Sequence, residues 1–306
     1  MRGTESRRGV SEIGRSGERM SGLSRRQVIA ASVGGVATTV GLGLFGAWAL
    51  RRDETPAASD ARTPIPTEMG PTTTTRPPKL LEVRTVKSTA RNRDVEVVAF
   101  RPDGVAPGTL PVCLALHGRG ARARVFTELG VGGQLSAAAA YAVVAVDGGD
   151  SYWVGNSAKD DPVAMLTDEL PGWLADLGLN PRPFAVLGVS MGAYGALNYV
   201  REHPDAVRAA AVISPALFTS WGDARARNVF TGRAQWEQTE PLRHIDALGG
   251  AKLGVWCGTA DPLLPSANRL IDTARPAVAR TAPGGHDADY WTAVVPEALS
   301  FIGSHI

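Results

Sequence analysis

Cysteine is scarce: Cys113 and Cys257 are the only two in 306 residues. Each sits inside an apolar run, 111–117 and 253–258, and cysteine is among the most buried residue types, so the pair reads as two buried thiols rather than a disulfide. Histidine is scarce as well. His117, His203, His244, His286 and His305 are scattered without ligand spacing, and no glycine-rich phosphate loop precedes a helix, so neither a metal nor a nucleotide cofactor is expected. The third shortage is of net charge. Residues 1–52 hold nine of the 32 basic residues and three of the 30 acidic ones, so the remainder of the chain carries −4 despite the overall +2. That balance excludes a global nucleic-acid footprint. What is present, 44% hydrophobic and 20% charged residues, is ordinary globular composition.

The basic residues that dominate the N-terminus form an address. Ser24-Arg25-Arg26-Gln27-Val28-Ile29 leads into an uncharged stretch, 28–50, which Arg51-Arg52 closes. This is the layout of a twin-arginine export signal, so residues 1–52 are expected to engage the twin-arginine export machinery. The stretch is also long enough to span a bilayer, which leaves two outcomes open. Ala47-Trp48-Ala49 offers a small-x-small cleavage site, yet Leu44, Phe45 and Leu50 around it are bulky. The product is therefore either released outside the cytoplasm or held at the membrane or cell wall by residues 28–50. Met20 just ahead of the arginine pair would give such a signal its usual short basic leader, and residues 1–19 then read as an over-extended start. Residues 53–79 are dominated by Pro, Thr, Ala and Ser, too polar to bury a core, and are expected to form an extended linker.

From residue 80 onward, short apolar runs alternate with helical patterns. Strands are expected at 81–87, 95–101, 112–117, 142–147, 184–189, 209–214, 253–258 and 277–282. The first two alternate polar with apolar, as half-exposed edge strands do, and the later ones are continuous Val, Ala and Leu, as strands buried on both faces are. Helices are expected at 126–140, 162–177, 191–203, 266–273 and 290–302. The order implies an α/β domain over residues 80–306, with a mostly parallel eight-stranded sheet and helices on both faces. Residues 215–250 carry Phe218, Trp221, Phe230 and Trp236 and are expected to form a short cap on one side of a pocket.

Ligands bind such sheets at the carboxyl ends of the strands, and the loops there carry reactive groups. Gly188-Val189-Ser190-Met191-Gly192 follows one strand and opens a helix, the setting in which a serine hydroxyl is lifted above the sheet on a sharp turn. A serine needs a base, and the base needs an orienting acid. His286 follows the last strand in Pro283-Gly284-Gly285-His286-Asp287, whereas His203 reads as a helix-end residue, His305 lies at the terminus and His117 reads as a loop-holding residue. Asp261 ends the strand before it, in Gly258-Thr259-Ala260-Asp261-Pro262. Asp287 and Asp289 read as helix caps. The backbone N–H groups of Arg119 and Met191 are the candidates for an oxyanion hole. Tyr152 and Trp153 are candidate pocket walls, and Arg119, Arg122 and Arg124 are candidate contacts to an anionic or sugar-bearing substrate.

Leu116-His117-Gly118-Arg119-Gly120, the stretch from Val146 to Trp153, Gly188 to Gly195, Gly258 to Asp261, and Gly284-Gly285-His286 with Tyr290-Trp291 together resemble the esterase family of α/β-hydrolases. That family groups esterase D, feruloyl and acetylxylan esterases and the trehalose mycolyltransferases. The resemblance implies an α/β-hydrolase fold, a triad of Ser190, Asp261 and His286, and oxyanion donors Arg119 and Met191. The expected activity is serine esterase hydrolysis of a small-molecule or glycan ester through an acyl-enzyme. Acyl transfer to a sugar such as trehalose uses the same intermediate, although no counterpart of a long hydrophobic groove is visible. A catalytically silent cell-wall binding protein on the same fold is the reading from another class.

Overall fold

Five-residue runs with no polar side chain, such as Val112–Leu116 and Ala142–Val146, are stable as strands when both faces of their sheet are covered. The computed structural model, which describes residues 80–105, 109–135, 140–155, 157 and 159–306, covers them in that way. The expected signal and linker lie outside the described residues. Strands β1 (Leu81–Ser88), β2 (Arg93–Phe100), β3 (Val112–Leu116), β4 (Ala142–Val146), β5 (Ala185–Val189), β6 (Ala209–Ile213), β7 (Lys252–Gly258) and β8 (Val278–Ala282) form one open sheet in the order β1-β2-β4-β3-β5-β6-β7-β8. β2 runs antiparallel to both of its neighbours, and β4 through β8 pair in parallel. Among the described residues no helix is long and apolar enough to cross a membrane.

The helices are α1 (Val125–Glu128), α2 (Val131–Gln134), α3 (Pro162–Ala164), α4 (Leu170–Asp176), α5 (Met191–Glu202), α6 (Trp221–Arg225), α7 (Arg233–Thr239), α8 (Leu264–Ala274) and α9 (Ala288–Gly303). Alternation along each strand divides the interior into two cores. Val112, Leu114 and Leu116 pack with Leu170 and Leu174 of α4, Leu197 of α5 and Leu270 of α8. Cys113 and Ala115 face the other way and pack with Phe126, Val131 and, on α9, Val295 and Leu299. Cys113 and Cys257 are buried free thiols.

Three expectations need correction. β8, expected as an apolar strand buried on both faces, is the other edge of the sheet, and Ala279, Arg280 and Thr281 are exposed. β2 is no edge strand: it lies between β1 and β4, and Val97 to Phe100 are buried, so only β1 keeps the half-exposed alternation of an edge. The helix expected over 126–140 is instead the pair α1 and α2, separated by Gly130 at φ 76°, a left-handed backbone that ends one helical turn before the next begins. Residues 136–139 lie outside the described set. The helix expected over 162–177 is present with a π turn at Met165–Glu169 between α3 and α4. Pro171, in the first turn of α4, lacks an N–H and would crowd a regular preceding turn, which accounts for the widening.

Residues 215–250 fold as α6, α7 and two 3-10 turns over α5, where the Tyr194 hydroxyl meets Thr239 Oγ1 at 2.9 Å and Asn198 Nδ2 donates to Thr239 O at 2.8 Å. Glu240 ties this segment together. Its buried carboxylate accepts from Phe218 N–H at 3.2 Å, Trp236 Nε1–H at 3.1 Å and Leu242 N–H at 3.3 Å, and burial raises its pKa to about 7.

Candidate active site

Ser190 sits between β5 and α5 at φ 56° and ψ −117°, a conformation that costs a non-glycine residue roughly 1–3 kcal/mol and persists only where the surroundings impose it. The surroundings are close backbone. A Cβ on Gly188 would lie 2.4 Å from Gly192 O, and one on Gly192 would lie 1.8 Å from Leu116 O, so neither position admits a side chain. Ser190 N–H donates to Ile213 O at 2.9 Å, and Ser190 O accepts from the N–H groups of Ala193 and Ala216. The hydroxyl is thereby fixed at the carboxyl edge of the sheet.

The loops after β7 and β8 meet it there. A Cβ on Gly258 would lie 2.3 Å from Gly284 O, and Ala260 N–H donates to that same oxygen at 2.9 Å, so the two loops touch backbone to backbone. This contact carries Asp261 and His286 together. Ser190 Oγ lies 2.9 Å from His286 Nε2, and His286 Nδ1 lies 2.9 Å from Asp261 Oδ2 and 3.1 Å from Oδ1. The Asp261 side chain is fully buried and also accepts from Leu263 N–H at 2.8 Å, whereas the His286 side chain keeps 27% of its surface exposed. An imidazole held this way donates Nδ1–H to the carboxylate and leaves Nε2 free to accept the serine proton. Asp287 caps α9 through Tyr290 N–H at 3.0 Å, which leaves Asp261 as the carboxylate on the imidazole. Trp291 stands edge-on to His286, ring centres 5.1 Å apart, and donates Nε1–H to Ser214 Oγ at 3.0 Å.

The loop after β3 leans over the serine: a Cβ on Gly118 would be 3.3 Å from Ser190 Cβ. Buried His117 holds this loop to the one after β4. Its Nδ1 bonds Gly118 O at 2.8 Å, and its Nε2 accepts from Gly148 N–H at 2.9 Å. Burial keeps its pKa below the usual histidine value, consistent with a neutral ring that has both nitrogens committed. Gly120 N–H donates to Asp150 Oδ1 and Ala123 N–H to Asp147 Oδ1, both at 2.7 Å. Arg119 lies on the wall of the cavity that Ser190 opens into, and Met191 is buried at the first position of α5, where helical N–H groups have no intrahelical acceptor. The cavity encloses about 130 Å³, and its lining includes His286 and Trp291 together with the apolar Ala121, Val125 and Leu129.

Several sequence candidates fall elsewhere. Tyr152 and Trp153 do not wall this cavity; both are buried at φ 58°. The Tyr152 ring packs among Tyr194, Phe218 and Phe230, and the Trp153 indole fills the space that a Cβ on Gly148 or Gly195 would need. No residue of the 215–250 segment lines the cavity either, because that segment covers the opposite core. Arg124 is ion-paired with Glu96 at 2.7 Å, and Arg122 is exposed outside the lining. Sequence reasoning gave no sign of Ala121, Val125 and Leu129 as wall residues: Ala121 and Val125 fall between the oxyanion loop and the helix expected over 126–140, and Leu129 falls inside that helix. Glu240 also went unnoticed: a lone acidic residue in a cap segment carries no pattern that marks it as buried.

Residues 88–302 match the model of the family described as Putative esterase. Over 125 residues the chain is 31% identical to the diacylglycerol acyltransferase/mycolyltransferase Ag85A of Mycobacterium tuberculosis, covering 35% of this chain and 37% of that protein. The chain spans little more than a third, 36% and 37%, of the length of the curated relatives it matches. Its structure is similar to that of a ferulic acid esterase, with a TM-score of 0.60 and 21% identity over 73% of this chain and 97% of the other. It is likewise similar to an S-formylglutathione hydrolase from Agrobacterium tumefaciens, with a TM-score of 0.62 and 15% identity over 73% of this chain and 94% of the other. These structural likenesses establish the α/β-hydrolase fold. Because the family match runs from the end of β1 into α9, the chain belongs to the Putative esterase family.

Proposed function

We propose that this protein is a serine carboxylic-ester hydrolase that works through an acyl-enzyme on an extracytoplasmic ester. The observation that carries the reading is the hydrogen-bonded chain Ser190–His286–Asp261 at the wall of a small cavity, with the serine on a strained turn. In this reading Ser190 Oγ attacks the ester carbonyl carbon as its proton passes to His286 Nε2. The carbonyl oxygen takes up the negative charge and accepts from the N–H groups of Arg119 and Met191. Asp261 holds the imidazolium through Nδ1–H. Collapse of the tetrahedral species breaks the carbon–oxygen bond, and His286 returns its proton to the departing alcohol. Water then gives a proton to His286 and attacks the acyl-enzyme, and the acid leaves as Ser190 regains its proton.

The test is labelling of the full-length protein with a fluorophosphonate alongside hydrolysis of p-nitrophenyl acetate. Ser190→Ala is expected to abolish both, and labelling that persists in the variant removes Ser190 from the role. Export by the twin-arginine route is the accompanying proposal, supported by Arg25-Arg26 ahead of the uncharged run. Replacing both arginines by lysine should retain the protein in the cytoplasm.

The stretch of identity with a mycolyltransferase favours a second reading, acyl transfer to a sugar hydroxyl in place of water. The two readings separate on product partition in the presence of trehalose: a transferase yields acylated sugar in preference to free acid.

A further inference from the structure

An acyl-enzyme imposes different demands on the two halves of its substrate. The alcohol must depart before water can enter, whereas the acyl group stays bound through both steps. The half that stays belongs in the recess beside Ser190, and the half that leaves belongs on the solvent side of His286, which is the proton donor to the alcohol and is partly open to solvent. That recess is the cavity of about 130 Å³. At roughly 30 Å³ for each water-sized group, it takes about four non-hydrogen atoms. Its apolar wall comes from Ala121, Val125 and Leu129, on and beside the short helix α1, and from Trp291 on α9.

From this we infer that Ala121 and Val125 set the acyl length that the site accepts, and that the substrate class is esters of short acids, from acetyl to about butyryl. The inference rests on the esterase reading of Ser190 and adds to it which half of the substrate is selected, and by what. A longer chain would have to displace Leu129, which is 1% exposed and built into the core with Phe126 and Val131. Displacing a packed core side chain is costly, so Leu129 acts as a floor. Ala121 and Val125 are only half-buried, so they can change size without emptying the core.

The experiment measures kcat/KM for p-nitrophenyl esters from acetate to octanoate on the full-length protein, and for a series of acetate esters with alcohols of increasing size. The expected wild-type result is a fall of at least about 100-fold between butanoate and octanoate, since each surplus methylene in a filled pocket is worth roughly 10-fold or more. Val125→Ala should raise hexanoate relative to acetate by about 10-fold, and Ala121→Leu should lower butanoate relative to acetate by a similar factor. The two variants push in opposite directions, so failure of one to fold leaves the other as the test. Equal rates from acetate to octanoate would overturn the inference, as would variants that scale every acyl ester alike. So would variants that alter the alcohol preference instead, which would place the leaving group in the cavity. Absence of hydrolysis of every ester together with no fluorophosphonate labelling would mark failure of the esterase reading itself, a different result from any of these.

Discussion

The turn that carries Ser190 and the α1–α2 segment, whose α1 end walls the cavity, lie on the same edge of the sheet and are built in opposite ways. Around the serine, glycines touch backbone: Gly192 has Leu116 O where its side chain would be, and Gly188 has Gly192 O. In the α1–α2 segment, Gly130 and Gly133 have no atom within 4 Å of the place a Cβ would take, a Cβ on Gly132 would meet only the Phe100 ring, at 3.3 Å, and each helix is four residues long. The difference teaches that this edge separates two tasks. Positioning a nucleophile tolerates no slack, because a displacement of about 1 Å can cost 100-fold in rate. Holding part of a substrate asks only for volume and an apolar lining, and Ala121, Val125 and Leu129, on and beside α1, supply both.

The largest expected effect tests the tight side. Asp261→Asn leaves the shape of the site but removes the charge that steadies the imidazolium, and kcat should fall by roughly 10⁴ with KM little changed. A loss below 10-fold would show that the carboxylate does not serve His286. Gly192→Ala comes next: its new carbon meets Leu116 O at 1.8 Å, so the variant should lose more than about 4 kcal/mol in denaturant titration or fail to accumulate folded. Glu240→Gln probes the polar joint over α5. Glu240 is raised from an ordinary 4.5 to about 7, so the folded state keeps a proton that the unfolded chain has released in between. Its stabilising contribution is therefore full below about pH 4.5 and is lost as the pH rises through 7, a change of about 3 kcal/mol. Urea titrations at pH 5 and pH 8 should show that slope in the wild type and a flatter one in the variant. The smallest effect belongs to the loose side: Gly133→Ala, in helix α2 with open space around it, should stabilise by about 0.5–1 kcal/mol. Destabilisation there would erase the contrast between the two segments.

How far the sequence could be read follows the same division. β3 to β7 are largely apolar runs bounded by turn residues, and such runs can be little else in an alternating α/β chain, whereas β8, with Arg280 and Thr281 in it, is legible mainly from its place in the alternation. β2 misleads because Arg93, Asp94 and Glu96 give its first half the look of an edge, while burial of Val97 to Phe100 depends on β4 being inserted beside it. The α1–α2 region misleads because Phe126, Leu129 and Val131 suggest one apolar helix, and the backbone state of Gly130 outweighs that pattern. Ser190, Asp261 and His286 could be picked out because each follows a strand at its carboxyl end, and chain order did the rest. Tyr152 and Trp153 follow a strand in the same way, but whether an aromatic ring there faces a cavity or fills a gap is decided by Gly195, some forty residues further along the chain. No local pattern contains that information.

The Trp153 indole also bears on how the site opens. It spans Gly148 and Gly195 and donates Nε1–H to His117 O at 3.2 Å, so one side chain bridges the loop after β3, the loop after β4 and α5. Segments joined in this way come apart together, and the amide protons of Gly148 and Ser190 should exchange with solvent only through rare, concerted opening.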